Sequence, residues 1–158
     1  MTELLAYRMA GASAPPEWFE DYSAGMQFSS PSRVVTDDDV RAYVRFSNDV
    51  RSVLGQTEPG PLPIPRLYLF CLGVGLLLHA GGGYIPTGFV AFSGFDEITY
   101  GRTASGGDAV RSSAVVTELV PRNTTGMVVY RQQTTALDGE VLTSSVQRIL
   151  VQKRPTDG

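Results

Sequence analysis

One cysteine and one histidine are spread over 158 residues, and that scarcity excludes more than any single motif establishes. A lone Cys71 leaves no disulfide framework and no set of metal ligands at the spacings zinc requires. It stands inside an apolar stretch with no charged neighbour to lower its pKa, so it is expected as a small buried hydrophobe rather than a nucleophile. Charge is sparse as well. Only 18% of residues are charged, the net charge is −3 and no basic cluster occurs, which excludes nucleic acid as a partner because phosphate neutralisation needs grouped Lys and Arg. No apolar run reaches the ~20 residues of a membrane-spanning helix. The opening MTELLAYRMAGASAPP carries Glu3 and a poor apolar core, so it does not read as a signal peptide, and a cytoplasmic location is expected. Gly81, Gly82 and Gly83 are not followed by Lys and Ser/Thr, so they form no phosphate loop. No cofactor is expected.

What is present is a chain of ordinary domain size with 42% hydrophobic residues, seventeen Gly and ten Pro, enough to bury a core and make many turns. Its longest apolar stretch is IPRLYLFCLGVGLLLHAGGG, Ile64 to Gly83. The run of ~14 uncharged residues from Leu67 to Ala80 predicts a core helix, closed by the three glycines, apolar on every side and therefore wrapped on most sides. Upstream, MQFS near Met26–Ser29 predicts a short strand. Thr36 with Asp39 forms a capping box that starts a helix over Asp37 to about Asn48, with Val40, Tyr43, Val44 and Ser47 on one face. A proline-rich loop between Arg51 and Pro65 leads into the core helix. After Thr87 the pattern becomes extended. Four β-rich runs follow, separated by turn signals at Gly106-Gly107-Asp108, Pro121-Arg122-Asn123 and Asp138-Gly139.

This order predicts an α+β fold in which a curved antiparallel β-sheet wraps around one long central helix, the hot-dog arrangement. Residues 1–16 are expected as a lead-in pinned by Leu4, Leu5 and Tyr7, residues 17–154 as a single domain, and 155–158 as a tail. An exposed sheet edge would need covering, so a homodimer, or a heterodimer with a related hot-dog subunit, is expected.

Four stretches in the right order resemble the MaoC-like family of hot-dog proteins, the (R)-specific enoyl-thioester hydratases and dehydratases. They are WFEDYSAGMQF, VVTDDDVRAYVRFSND, SGGDAVRSSAVVTEL and LDGEVLTSSVQRILVQKR. The resemblance implies an acyl thioester on coenzyme A or a carrier protein as ligand, in acyl or polyketide metabolism. It also implies an Asp with a His five residues on, and a His-Gly pair opening the core helix. Asp49 matches the Asp, but Leu54 stands in place of the His, Arg51-Ser52 replaces the intervening Asn-Pro, and Pro65-Arg66 replaces His-Gly.

Adding water to an enoyl thioester takes one group to move the proton at Cα and another to handle the water at Cβ. Asp49 is the candidate base. The backbone N–H of Arg66 or Leu67, at the positive end of the core helix, is the candidate carbonyl-binding site, with Asn48, Ser52 and Leu54 lining the ligand. Leu54 carries no proton, so three readings stay open: one-base dehydration, isomerisation or cyclisation by Asp49; a non-catalytic subunit of a heteromeric hydratase; or a hot-dog thioesterase. The single histidine, His79, falls at the far end of the core helix, where it is expected to cap carbonyls. Arg66 is read either as an anion-binding group or as a partner for Asp49. Tyr68, Tyr84 and Tyr100 are expected to pack with their hydroxyls satisfied.

Overall fold

A computed structural model describes residues 16–50, 59–79 and 86–155. After a 3-10 turn at Phe19–Asp21 come β1 (Gln27–Ser29), β2 (Arg33–Val34), α1 (Asp37–Ser47), α2 (Arg66–His79), β3 (Phe89–Tyr100), β4 (Ala109–Pro121), β5 (Thr125–Ala136) and β6 (Val141–Gln152). The strands form one antiparallel sheet in the order β1-β4-β5-β6-β3, with β2 also paired to β4. Helix α2 lies across β4, β5 and β6. This is the expected α+β hot-dog architecture. The two-residue β2 and the 3-10 turn are additions too short to show a pattern in sequence. Expectations for Leu4, Leu5, Tyr7 and Gly81 to Gly83 lie outside the described residues.

Local chemistry explains the boundaries. The Thr36 Oγ1 accepts from the Asp39 N–H (3.1 Å) while Asp39 Oδ2 accepts from the Thr36 N–H (2.9 Å), so two donors that the helix start leaves open are satisfied reciprocally. Helix α1 ends at Asn48, whose φ of 56° places it in the left-handed region that Asn tolerates. Between β5 and β6, Gly139 sits at φ 91°, and the Ala136 N–H closes the turn on the Glu140 carbonyl (3.0 Å).

The Thr36 N–H first, and then the charge of Arg33, hold the Asp39 carboxyl below its ordinary value of 3.8. Because the folded pKa is the lower one, Asp39 adds stability above the unfolded value, and that contribution is lost as pH falls through the folded value. Melting temperature followed from pH 5 to pH 2 should therefore drop more steeply in the native protein than in Asp39→Asn. Thr36→Ala should cost about 1 kcal/mol at neutral pH.

The core divides into two apolar clusters. One gathers Phe19, Tyr22, Leu77, Val116, Val128 and Ile149, the other Val35, Val40, Ile64, Leu69, Val110 and Leu142. Between them the sheet turns a buried polar layer toward α2. The Tyr130 hydroxyl donates to Gln147 Oε1 (2.9 Å), the Gln147 amide to Ser145 Oγ (3.2 Å) and the Ser145 hydroxyl to Gln132 Oε1 (3.2 Å). The Gln132 amide then donates to Ser112 Oγ (2.9 Å) and Thr134 Oγ1 (3.0 Å). Register produces this row: Ser112 faces Thr134, Gln132 faces Ser145 and Tyr130 faces Gln147.

The central helix is not wrapped as completely as its composition predicts. Leu67 is 52% and Leu78 44% exposed, and Cys71 between them is exposed too, which corrects the expectation that it is buried. Leu67 and Cys71 lie one turn apart on α2, and Leu78 follows two turns further on. A helix apolar all round carries no signal for which face the sheet will cover.

Candidate active site

The head of α2 is held from two sides. The Leu62 N–H donates to Asp37 Oδ1 (2.9 Å), tying the preceding loop to the first residue of α1. The Ile64 N–H donates to the Ala104 carbonyl (2.8 Å) and the Gly106 N–H to the Leu62 carbonyl (2.8 Å), tying the same loop to the β3–β4 connection. The first intrahelical bond runs from the Leu69 N–H to the Pro65 carbonyl (3.0 Å), so the N–H groups of Arg66, Leu67 and Tyr68 precede it. No acidic residue stands in that first turn to screen its positive end. Arg66 is exposed and makes no ion pair among the described residues.

Asp49 follows directly on the left-handed Asn48 and is half-buried. Its N–H donates to Ser47 Oγ (3.2 Å), which itself donates to the Tyr43 carbonyl (2.8 Å). Asn48 is exposed. Ser52, Leu54 and Tyr84 lie outside the described residues. His79 is the last residue of α2, about 20 Å along the helix from its head.

Tyr43, on the apolar stripe of α1, joins these elements. Its ring stacks on Tyr68 of α2, with centroids 4.9 Å apart and 21° between planes. Its hydroxyl has a raised pKa, chiefly through burial. The Ser47 hydroxyl opposes that shift, while the neighbouring Asp49, Cys71 and Tyr100 add to it. Asp49 thus shares one neighbourhood with the second turn of α2 and the end of β3. Tyr68 points elsewhere: burial raises its pKa, and the nearby charges acting on it are Asp39 and Arg33, at the start of α1. The one sequence signal for Tyr43 is a tyrosine on a helix face, four residues before the end of α1 and six before Asp49.

Further along α2, Val74 and Leu78 meet Phe89, Phe92 and Phe95 of β3 around an apolar cavity of about 300 Å³, with Tyr130 and Ile149 at its floor. Such a lining takes an aliphatic or aromatic chain. Among the described residues no group of three or more His, Cys, Asp or Glu could hold a metal ion, and no helix is long and apolar enough to cross a membrane.

No protein-family model and no curated protein matches the chain. Solved structures do match it. A protein described as a monoamine oxidase regulatory protein, from Archaeoglobus, superposes with TM-score 0.76 at 20% identity, over 91% of this chain and 99% of that one. A MaoC-like dehydratase from Rhodospirillum rubrum gives TM-score 0.69 at 19% identity, over 88% and 99%. A Mycobacterium tuberculosis protein with a double hot-dog fold gives TM-score 0.70 at 19% identity, over 90% of this chain and 46% of that one. The chain is a hot-dog domain. Within that class its fold is the one seen in MaoC-like dehydratases.

Proposed function

We propose that this protein is a MaoC dehydratase-like enzyme acting on an acyl thioester of coenzyme A or a carrier protein, in acyl or polyketide metabolism in the cytoplasm. Asp49 is its base. The observation that supports the reading is that the half-buried Asp49 acts on Tyr43, whose ring stacks on Tyr68 in the first turn of α2, and that the head of α2 offers N–H groups and no acidic residue. A thioester oxygen bound at Arg66 N–H or Leu67 N–H would gain from the helix dipole as charge develops on it. The Arg66 guanidinium is available to a carrier phosphate. Asn48, Ser52 and Leu54 lie next to Asp49 in sequence and would border the reacting carbons, while the cavity of Phe89, Phe92 and Phe95 suits the acyl tail.

The domain spans 17–154 and works as a dimer through β3. That edge strand exposes Phe89, Val90, Phe92 and Ile98, each about 40%, and a long apolar edge of this kind is normally paired. The double hot-dog relative, about half of whose chain this protein covers, supports the pairing of two such domains.

A panel of enoyl and 3-hydroxyacyl thioesters incubated with the purified protein in D₂O tests the function by mass spectrometry. Deuterium at Cα, or gain or loss of water, is the expected result. An unchanged panel would sink the enzyme reading. Leu54, standing where the resemblance implies a His, favours the second reading, a non-catalytic subunit. On that reading water addition appears only after mixing with a related hot-dog protein that carries the Asp and His.

A further inference from the structure

Dehydration and its reverse need a proton donor at Cβ as well as a base at Cα, and Asp49 can serve at only one of these. We propose that the Tyr43 hydroxyl is that donor, on a ring that is held on the head of α2 by its stack on Tyr68 and lies in the neighbourhood of Asp49. The proposal rests on the thioester reading given above.

Among the described residues, the titratable groups that act on Tyr43 come from three elements: Asp49 after α1, Cys71 on α2 and Tyr100 at the end of β3. Among them Tyr43 is the half-buried hydroxyl whose ring is fixed, with centroids 4.9 Å from Tyr68. Cys71 and Tyr100 are more exposed. Arg66 gives up no proton, since a guanidinium stays charged. The Tyr68 hydroxyl neighbours Asp39 and Arg33 instead.

Burial first, with Asp49 adding to it, raises the Tyr43 pKa above its ordinary value, so the hydroxyl carries its proton at neutral pH. A phenol, ordinarily near pKa ~10, remains a far stronger acid than water at ~15.7, so giving its proton to a departing hydroxide is downhill. For a 3-hydroxyacyl thioester the step balances. Asp49 takes the Cα proton, the C–H electron pair becomes the Cα=Cβ bond, the Cβ–O bond breaks, and the Tyr43 proton leaves with that oxygen as water. The proton on Asp49 then returns to the Tyr43 phenolate. Both groups are restored and no further reactant is consumed.

Tyr43→Phe keeps the ring and its stack while removing the hydroxyl, so the fold should survive. In the D₂O assay the variant should lose water addition or elimination by about 100-fold in kcat, with KM and the Asp49-driven exchange at Cα within about three-fold of native. Tyr100→Phe and Cys71→Ala should leave both rates near native. Equal loss of exchange and water addition in Tyr43→Phe, no loss of either, or transfer of the effect to Tyr100→Phe or Cys71→Ala would overturn the proposal. Inactivity of the native protein instead overturns the thioester reading itself, and is seen before any variant is made. A second readout needs no turnover. With ¹³C-labelled tyrosine, the Tyr43 resonance, assigned by its loss in Tyr43→Phe, should titrate above the ordinary tyrosine range and move down in Asp49→Asn. An unmoved titration would place Asp49 and Tyr43 apart and overturn the proposal.

Discussion

Replacing Asp49 by asparagine is expected to lower the rate of Cα deuterium exchange and of water addition by 10²-fold or more, while the melting temperature changes little. The magnitude follows from the role: a positioned acid-base group contributes roughly 10²–10⁴-fold, and asparagine accepts no proton at neutral pH. The small structural effect follows from what holds the residue in place. The turn is set by the left-handed backbone of Asn48 (φ 56°) and by the Asp49 N–H donating to Ser47 Oγ (3.2 Å), neither of which uses the carboxylate. Asparagine is nearly isosteric, so the contacts of the side chain survive as shape. Circular dichroism melting and the D₂O assay on the same preparations separate the two effects. A variant that keeps the native exchange rate would remove Asp49 from the chemistry, and one that melts far lower would make it a structural residue. Because the same carboxylate helps keep Tyr43 protonated, the alkaline limb of the rate profile should also shift down in any residual activity of the variant.

The parts of this fold that were legible in sequence are those specified within a few residues. Thr36 and Asp39 announce their helix because the capping box spans three positions, and the bonds are there. Asp138-Gly139 announces the β5–β6 hairpin because the turn demands φ > 0 where glycine stands. The long strands β3 to β6 were visible from their composition between such turns. What was not legible depends on register or on distant partners. Ser112, Gln132, Thr134, Ser145 and Gln147 look like surface alternation until pairing turns all of them inward. Cys71 lies in an apolar helix with no polar face to fix its rotation, so its exposure is set by the sheet. The Asp49 neighbourhood takes members from α1, α2 and β3, and a tyrosine on a short helix is indistinguishable from packing until those elements meet. Ser52 and Leu54 enter only through the resemblance, as the residues standing where the family has its Pro and its His, and both lie outside the described residues.

The buried polar layer sets the largest expected effect on stability, through Gly73→Ala. Gly73 lies in the middle of α2 directly over Thr134 and Gln132. A Cβ there would overlap the Thr134 hydroxyl and stand 2.9 Å from Gln132 Nε2. Two outcomes are available, and both are costly. If α2 lifts from the sheet, contacts along Leu69 and Leu77, both fully buried, are loosened, at the ~1–3 kcal/mol typical of overpacking. If Thr134 rotates away, the Gln132 amide loses its 3.0 Å acceptor in a place water does not reach, at ~1–3 kcal/mol for a buried group left unpaired. Against this stands a gain of ~1 kcal/mol, since alanine is the better helix former. Either route, less that gain, leaves a net loss of up to about 2 kcal/mol, or roughly 5 °C in melting temperature for a domain of this size. Gly75, two residues on, is the internal control: nothing lies within 4 Å of a Cβ placed there, so Gly75→Ala gains helix propensity alone and should melt at or slightly above the native temperature. Opposite responses at two glycines of one helix would localise the effect to the polar layer. Equal responses would mean that the helix, and not the layer beneath Gly73, decides the cost.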